Sequence, residues 1–200
     1  LPRIDPVNVH PSALPKFRGA SPGQFVILYG GIESAVSIMV MNEVFDEGAV
    51  IQQLPFAVSP TETQESYYDR AFALAAQHLP DVLAQYTENR QATPQSRLPE
   101  ANTPLARRLS REDGFIPFSL VEIAQHDAVA LAVENTDRAQ LGTVLQELLQ
   151  YQPELTATQL VDRAVRALTP WPGIWTTVPE YKGRQNVRLK IWEAIIKNNV

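Results

Sequence analysis

The chain has no cysteine. That excludes disulfides and thiolate nucleophiles within these residues, and it suits a reducing compartment such as the cytoplasm. Histidine is scarce: the three, His10, His78 and His126, are far apart. With no His or Cys cluster, no metal site is expected. No glycine-rich loop of the kind that cradles phosphates is present. No apolar run approaches membrane-spanning length, so no membrane partner is expected.

What is present is the composition of a folded protein: 44% hydrophobic and 20% charged residues over 200 positions. That suffices for one core, or for one domain and part of a second. Net charge is −5 but uneven: residues 1–162 hold ten Lys and Arg against twenty Asp and Glu, and residues 163–200 hold seven against two. A basic tail on an acidic body suits a polyanionic partner, and it equally suits an ordinary solvated surface.

Residues 7–19 read Val-Asn-Val-His-Pro-Ser-Ala-Leu-Pro-Lys-Phe-Arg-Gly. In a strand, Asn8 and His10 share one face and Val7 and Val9 the other. A carboxamide beside an imidazole can stabilise an oxyanion and move a proton. Pro11 ends regular pairing, and Pro15 and Gly19 shape a loop. Asn8 alone would equally suit a turn cap. Asp46, before Glu47-Gly48, would equally suit a hairpin turn. Arg18 could hold an anion or pair with a local acid. His78 and His126 lie in helical patterns without partners and read as structural or surface residues.

Further elements follow from pattern. Ser21-Pro22 opens a short helix over 23–29, with a strand as the alternative for Val26-Ile27. Strands are expected over 35–41 and 49–54, joined by the polar segment 42–48. A long helix opens at Ser59-Pro60-Thr61-Glu62-Thr63, with Tyr68, Phe72, Ala75, Ala76, Leu79, Val82, Leu83 and Tyr86 as its apolar stripe and a kink or restart at Pro80. Residues 87–108 read as a surface excursion. Residues 120–152 read as helical, with Leu141, Val144, Leu145, Leu148 and Leu149 forming a stripe. Thr156 starts another helix through Leu168, stopped by Pro170-Trp171-Pro172-Gly173. Strands over 175–178 and 187–192 flank a turn at Lys182-Gly183. Trp171 and Trp175 suit packing better than base stacking.

Residues 8–19 resemble the signature Asn-x-His-Pro-Ser-Leu-Leu-Pro-x-x-Arg-Gly of the folate-dependent formyltransferases, with Ala13 in place of one Leu. Ser34-Ala35-Val36-Ser37-Ile38-Met39-Val40-Met41 and Asp46-Glu47-Gly48 resemble that family's next strand and its Asp-x-Gly, with Ser34-Ala35 replacing Thr-Gly and Asn42 the usual Asp. Residues 110–116 and 166–176 resemble the approach to the linker and the entry into the C-terminal domain of the methionyl-tRNA formyltransferase branch.

The resemblance implies an α/β fold. Residues 1–118 would form the second half of a Rossmann-like catalytic domain, 119–165 a helical insertion, and 166–200 the start of an OB-like barrel. It implies a fragment lacking the first half of that domain, inactive by itself, and a monomeric cytoplasmic enzyme when whole. It implies transfer of a formyl group from 10-formyltetrahydrofolate to initiator methionyl-tRNA, without a metal. Asn8, His10 and Asp46 would be catalytic, and Ser12, Ala13, Leu14 and Pro15 would contact folate. Sugar-nucleotide and glycinamide-ribonucleotide formyltransferases, and formyltetrahydrofolate hydrolase, share the Asn, His and Asp. The acceptor is therefore open, as is an inactive binding homologue.

Overall fold

The computed structural model of the chain describes residues 5–99, 101–125 and 133–194. It falls into two units, one of residues 1–26 and 30–108, the other of 27–29 and 109–200.

The first unit is built on a three-stranded antiparallel sheet in the order β1-β2-β3, with β1 Val7–His10, β2 Glu33–Val40 and β3 Val50–Ala57. β2 is the central strand and is buried along nearly its whole length, its two serines included. Its register sets Asn8 opposite Met39 and His10 opposite Ser37. Ser37 ties the loop after β1 to the sheet. Its hydroxyl donates to the Ser12 carbonyl at 2.7 Å and accepts the Leu14 N–H at 3.1 Å. Gln53 on β3 donates to the Leu14 carbonyl at 2.7 Å.

Helix α1, Pro22–Leu28, follows Ser21 as the N-cap pattern predicts. Phe25, Val26, Ile27 and Leu28 are all buried, so the β-branched pair is held helical by burial on every side.

Helix α2, Gln64–Asn89, starts later than expected, because Thr63 and not Ser59 forms the capping box, with Ser66 as its partner. It runs through Pro80 as one element. Its buried residues are Tyr67, Ala71, Ala75, Val82 and Tyr86: the last three belong to the predicted stripe, and the first two replace Tyr68 and Phe72. The large apolar Phe72 is exposed, whereas Tyr67 is fully buried. Tyr67 can go inside because its hydroxyl reaches the Pro11 carbonyl at 2.9 Å and Ser34 Oγ at 2.7 Å.

Residues 87–108 are more than a surface excursion. Thr93 and Val50 exchange both backbone hydrogen bonds, at 2.7 and 2.8 Å, and Gln95 and Ala106 are buried.

The second unit holds helices α3 Phe118–Gln125, α4 Asn135–Arg138, α5 Thr143–Tyr151 and α6 Ala157–Leu168, then strands β4 Ile174–Tyr181 and β5 Arg184–Ile191. Leu141, Val144, Leu145, Leu148 and Leu149 are buried as their spacing predicts. Helix α6 is capped by Thr156 and Gln159 acting reciprocally. Residues Lys182 and Gly183 both take positive φ, 50° and 74°, the conformation a two-residue hairpin requires. Trp175 packs against Phe115, with ring centroids 4.6 Å apart. The Arg188 guanidinium lies 3.5 Å above the centre of its ring. His126 lies outside the described residues. Among those described, no helix is long and apolar enough to cross a membrane.

Candidate active site

Asn8 and His10 project from the same face of β1, and both line one cavity of about 430 Å³. Asp46, from the turn after β2, lines it as well. The structure thus brings together the three residues singled out from the sequence. The Asn8 carboxamide has no protein hydrogen-bond partner among the described residues, which leaves its N–H groups for a ligand.

His10 is almost fully buried. Its Nε2 lies 3.2 Å from the Phe17 carbonyl oxygen. A carbonyl only accepts, so this contact requires the proton on Nε2. Nδ1 is then the unprotonated nitrogen of the neutral ring, and it stands 3.6 Å from Asp46 Oδ2. Burial pushes the His10 pKa below its ordinary 6.5, against the upward pull of the Asp46 carboxylate and the Phe17 carbonyl. Desolvation disfavours the charged ring. At neutral pH the site therefore offers a bare Nδ1, with a carboxylate beside it to stabilise the imidazolium once a proton arrives.

Asp46 is placed by its neighbours. Its φ of 54° is left-handed, uncommon for a residue with a Cβ. Gly48 follows because a Cβ there would lie 1.7 Å from the Val40 carbonyl oxygen. The Asp46 side chain accepts the Gly19 N–H at 2.9 Å on Oδ2. Gly19 itself has φ of 128° and abuts the Ala106 carbonyl, which keeps its N–H aimed at the carboxylate.

The remaining wall is largely apolar. Met41, Val44 and Phe45 of the turn and Phe72 of α2 are exposed and line the cavity. Tyr68 completes it. Its hydroxyl donates to Gln24 at 2.7 Å and accepts the Gly23 N–H at 3.2 Å. Burial pushes its pKa up to about 12, so it stays protonated. Among the described residues no group of three His, Cys, Asp or Glu is placed to hold a metal ion.

Two models of one family match this chain: the formyl transferase domain over residues 1–83 and the formyl transferase C-terminal domain over residues 154–200. The chain belongs to the formyl transferase family. The methionyl-tRNA formyltransferase of Gluconacetobacter diazotrophicus is 34% identical over 172 residues, covering 86% of this chain and 43% of that protein. The methionyl-tRNA formyltransferase of Myxococcus xanthus is 32% identical over 179 residues, covering 89% and 45%. The chain spans about half the length of the curated relatives it matches.

Among solved structures, an N-formyltransferase from Helicobacter canadensis, complexed with folinic acid and dTDP-3-aminofucose, gives a TM-score of 0.56 at 16% identity. That match covers 88% of this chain and 56% of the other. HypX from Aquifex aeolicus, complexed with tetrahydrofolic acid, gives 0.52 at 17%, covering 90% and 27%. At such identities the likeness speaks for the formyltransferase fold: part of a Rossmann-like domain and the start of a C-terminal β domain.

Within this formyl transferase chain, residues 12–15 do not line the cavity of Asn8, His10 and Asp46. Ser12 is fully buried and donates to the Lys16 carbonyl at 2.6 Å. Leu14 packs in the core with Met39 and Val50. Ala13 opens on a separate hollow beside Lys16 and Phe56. Pro15 opens on a third, beside Arg18 and Gln95. These four residues build the loop that follows β1. Arg18 pairs with a local acid: its Nη1 donates to Glu47 at 2.9 Å.

Sequence reasoning missed Gln95, Tyr68 and the apolar turn residues Met41, Val44 and Phe45. An exposed Val-Phe pair inside a polar turn was the one available signal for the last of these.

Proposed function

We propose that the full-length protein carrying this chain transfers a formyl group from 10-formyltetrahydrofolate to the amino group of initiator methionyl-tRNA. The observation that carries the transfer chemistry is the convergence of Asn8, His10 and Asp46 on one cavity. In this reading residues 1–118 carry the second half of the catalytic domain, 119–165 a helical linker and 166–200 the start of an OB-like barrel, and the reaction takes place in the cytoplasm.

The amine nitrogen attacks the formyl carbon and a tetrahedral oxyanion forms. The Asn8 carboxamide donates an N–H to that oxygen, so its contribution grows as charge develops. His10 Nδ1 takes the proton released by the attacking amine. The Asp46 carboxylate stabilises the imidazolium. The imidazolium then protonates the folate nitrogen as its bond to the formyl carbon breaks. Tetrahydrofolate leaves and the amine keeps the formyl group. The exposed Met41, Val44, Phe45 and Phe72 supply an apolar wall for the flat bicyclic ring of the donor. Residues 12–15 support that site from behind: Ser12 and Leu14 are buried, and Ala13 and Pro15 face other hollows.

The tRNA acceptor is favoured by the names of the curated relatives. It is also favoured by the β4–β5 hairpin, where Lys182, Arg184, Arg188 and Lys190 lie beside Trp175 and Tyr181. Cations held on such a hairpin suit a nucleic-acid backbone.

The test offers the full-length protein 10-formyltetrahydrofolate with initiator methionyl-tRNA, with an amino-sugar nucleotide, or with water alone, and follows tetrahydrofolate release. Formylated methionyl-tRNA is the expected product. Formylation of the sugar nucleotide, or hydrolysis regardless of acceptor, would overturn the reading.

A further inference from the structure

We propose that Gln95 is a positioning residue for Asp46: its carboxamide fastens the backbone of the turn that presents Asp46 to His10. The kinetic part of this inference rests on the formyl-transfer reading; the structural part does not.

Gln95 is 5% exposed. It sits in the short 3-10 turn Gln95–Arg97, two residues after the two-way backbone bridge between Thr93 and Val50, so its base is fixed to β3. Its Nε2 donates to the Asp46 carbonyl at 2.7 Å and to the Gly48 carbonyl at 2.9 Å. Its Oε1 accepts from Arg18 Nε at 2.9 Å. Arg18 in turn donates to Glu47, inside the same turn, at 2.9 Å.

The chemistry of this arrangement selects glutamine. The turn points two carbonyls inward, and buried carbonyls need donors. A carboxamide NH₂ supplies two donors from one atom. Glutamate supplies none, and asparagine is one methylene shorter. Arg18 sets which way the amide faces. With the amide reversed, its oxygen would meet two carbonyl oxygens and its NH₂ would meet a guanidinium. Arg18 and Gln95 therefore act as one clamp on residues 46–48. The clamp holds a left-handed Asp46 that a free turn would seldom adopt. Neither residue reaches His10; both act through Asp46.

The test uses the full-length protein with Gln95→Met, which keeps side-chain length and apolar volume while removing every hydrogen bond. The His10 ring is titrated by NMR, its signal assigned with His10→Gln. Once Asp46 is released, His10 loses the neighbour that raises its pKa, so its midpoint is expected to fall. In an Asp46→Asn background the same Gln95→Met change is expected to move the midpoint no further, because the two changes act through one contact. Turnover is expected to fall by about a hundredfold, the cost typical of a misplacement near 1 Å, with KM for the formyl donor little changed.

A wild-type midpoint in folded Gln95→Met overturns the inference, as does a shift that persists undiminished in the Asp46→Asn background. If Gln95→Met does not fold, Arg18→Ala, which removes the orienting donor from the solvent side, is held to the same outcomes. The titration needs no substrate. Should formyl transfer itself not be observed, the clamp still stands or falls on the His10 midpoint.

Discussion

His10 and Asp46 meet through a single carboxylate oxygen. The Oδ2 that stands 3.6 Å from Nδ1 of the imidazole also accepts the Gly19 N–H at 2.9 Å. The carboxylate is thus held by backbone on one side and faces the ring on the other. Of the influences on the ring, burial is the largest and lowers its pKa, while Asp46 and the Phe17 carbonyl raise it. Asp46→Asn removes the larger of the two raising influences. The His10 midpoint, read by NMR, is expected to fall further below 6.5, and turnover is expected to fall with it. A rise in the midpoint would reverse the assignment.

The same depression links His10 to stability. A pKa lower in the folded than in the unfolded chain means that the unfolded chain takes up the proton first as pH falls. The stabilising contribution is present above 6.5, the ordinary value, and is lost as pH drops through the folded pKa. Urea midpoints of the wild type are expected to decline between about pH 7.5 and about pH 5 more steeply than those of His10→Gln. Parallel declines would show that His10 is not the group responsible.

Asn8→Ala removes a donor that no described residue occupies. Folding is expected to be unaffected within experimental error, whereas kcat falls by about a hundredfold or more, or about 2.7–4 kcal/mol of barrier. Single-turnover rates measure the step directly, and an unchanged rate would remove Asn8 from the chemistry.

Gly48→Ala sets a methyl carbon 1.7 Å from the Val40 carbonyl oxygen and 3.0 Å from Met39 Cε. The Val40 carbonyl is backbone and has little room to yield, although the Met39 side chain can move aside. The expected loss is at least about 3 kcal/mol in denaturant unfolding, the upper end of overpacking costs.

Arg188→Gln takes the cation off the Trp175 ring on the hairpin. Binding of initiator methionyl-tRNA is expected to weaken, and its salt dependence to lose roughly one unit of slope if Arg188 contacts a phosphate. A parallel salt plot displaced by nothing would place the tRNA elsewhere.

Much of this was legible in the sequence, for identifiable reasons. Asn8 and His10 share a face because strand periodicity leaves no alternative, and Val144, Leu145, Leu148 and Leu149 are buried because helical spacing collects them on one side of α5, while Leu141, expected in the same stripe, is buried from the bend before that helix. The helix-opening signal at Ser59-Pro60 was misleading because Thr63, with Ser66 three residues on, makes the better reciprocal cap. The start of the α2 stripe shifted from Tyr68 and Phe72 to Tyr67 and Ala71 because Tyr67 finds two polar partners inside, one of them on β2 and the other in the loop after β1. Such partners are invisible to local pattern. Gln95 was illegible for the same reason. Nothing around it in the chain marks a polar residue in a proline-bearing stretch as the support of a turn 49 positions away.

The mutual backbone bonds of Thr93 and Val50 make the chain length from there to Gln95 a fixed spacer. A residue inserted between Thr93 and Gln95 would withdraw the carboxamide from the turn and, on the proposed reading, lower formyl transfer without altering Asn8, His10 or Asp46. The exposed, innocuous-looking Pro94 is therefore a poor place for loop exchange or affinity-tag insertion in this protein.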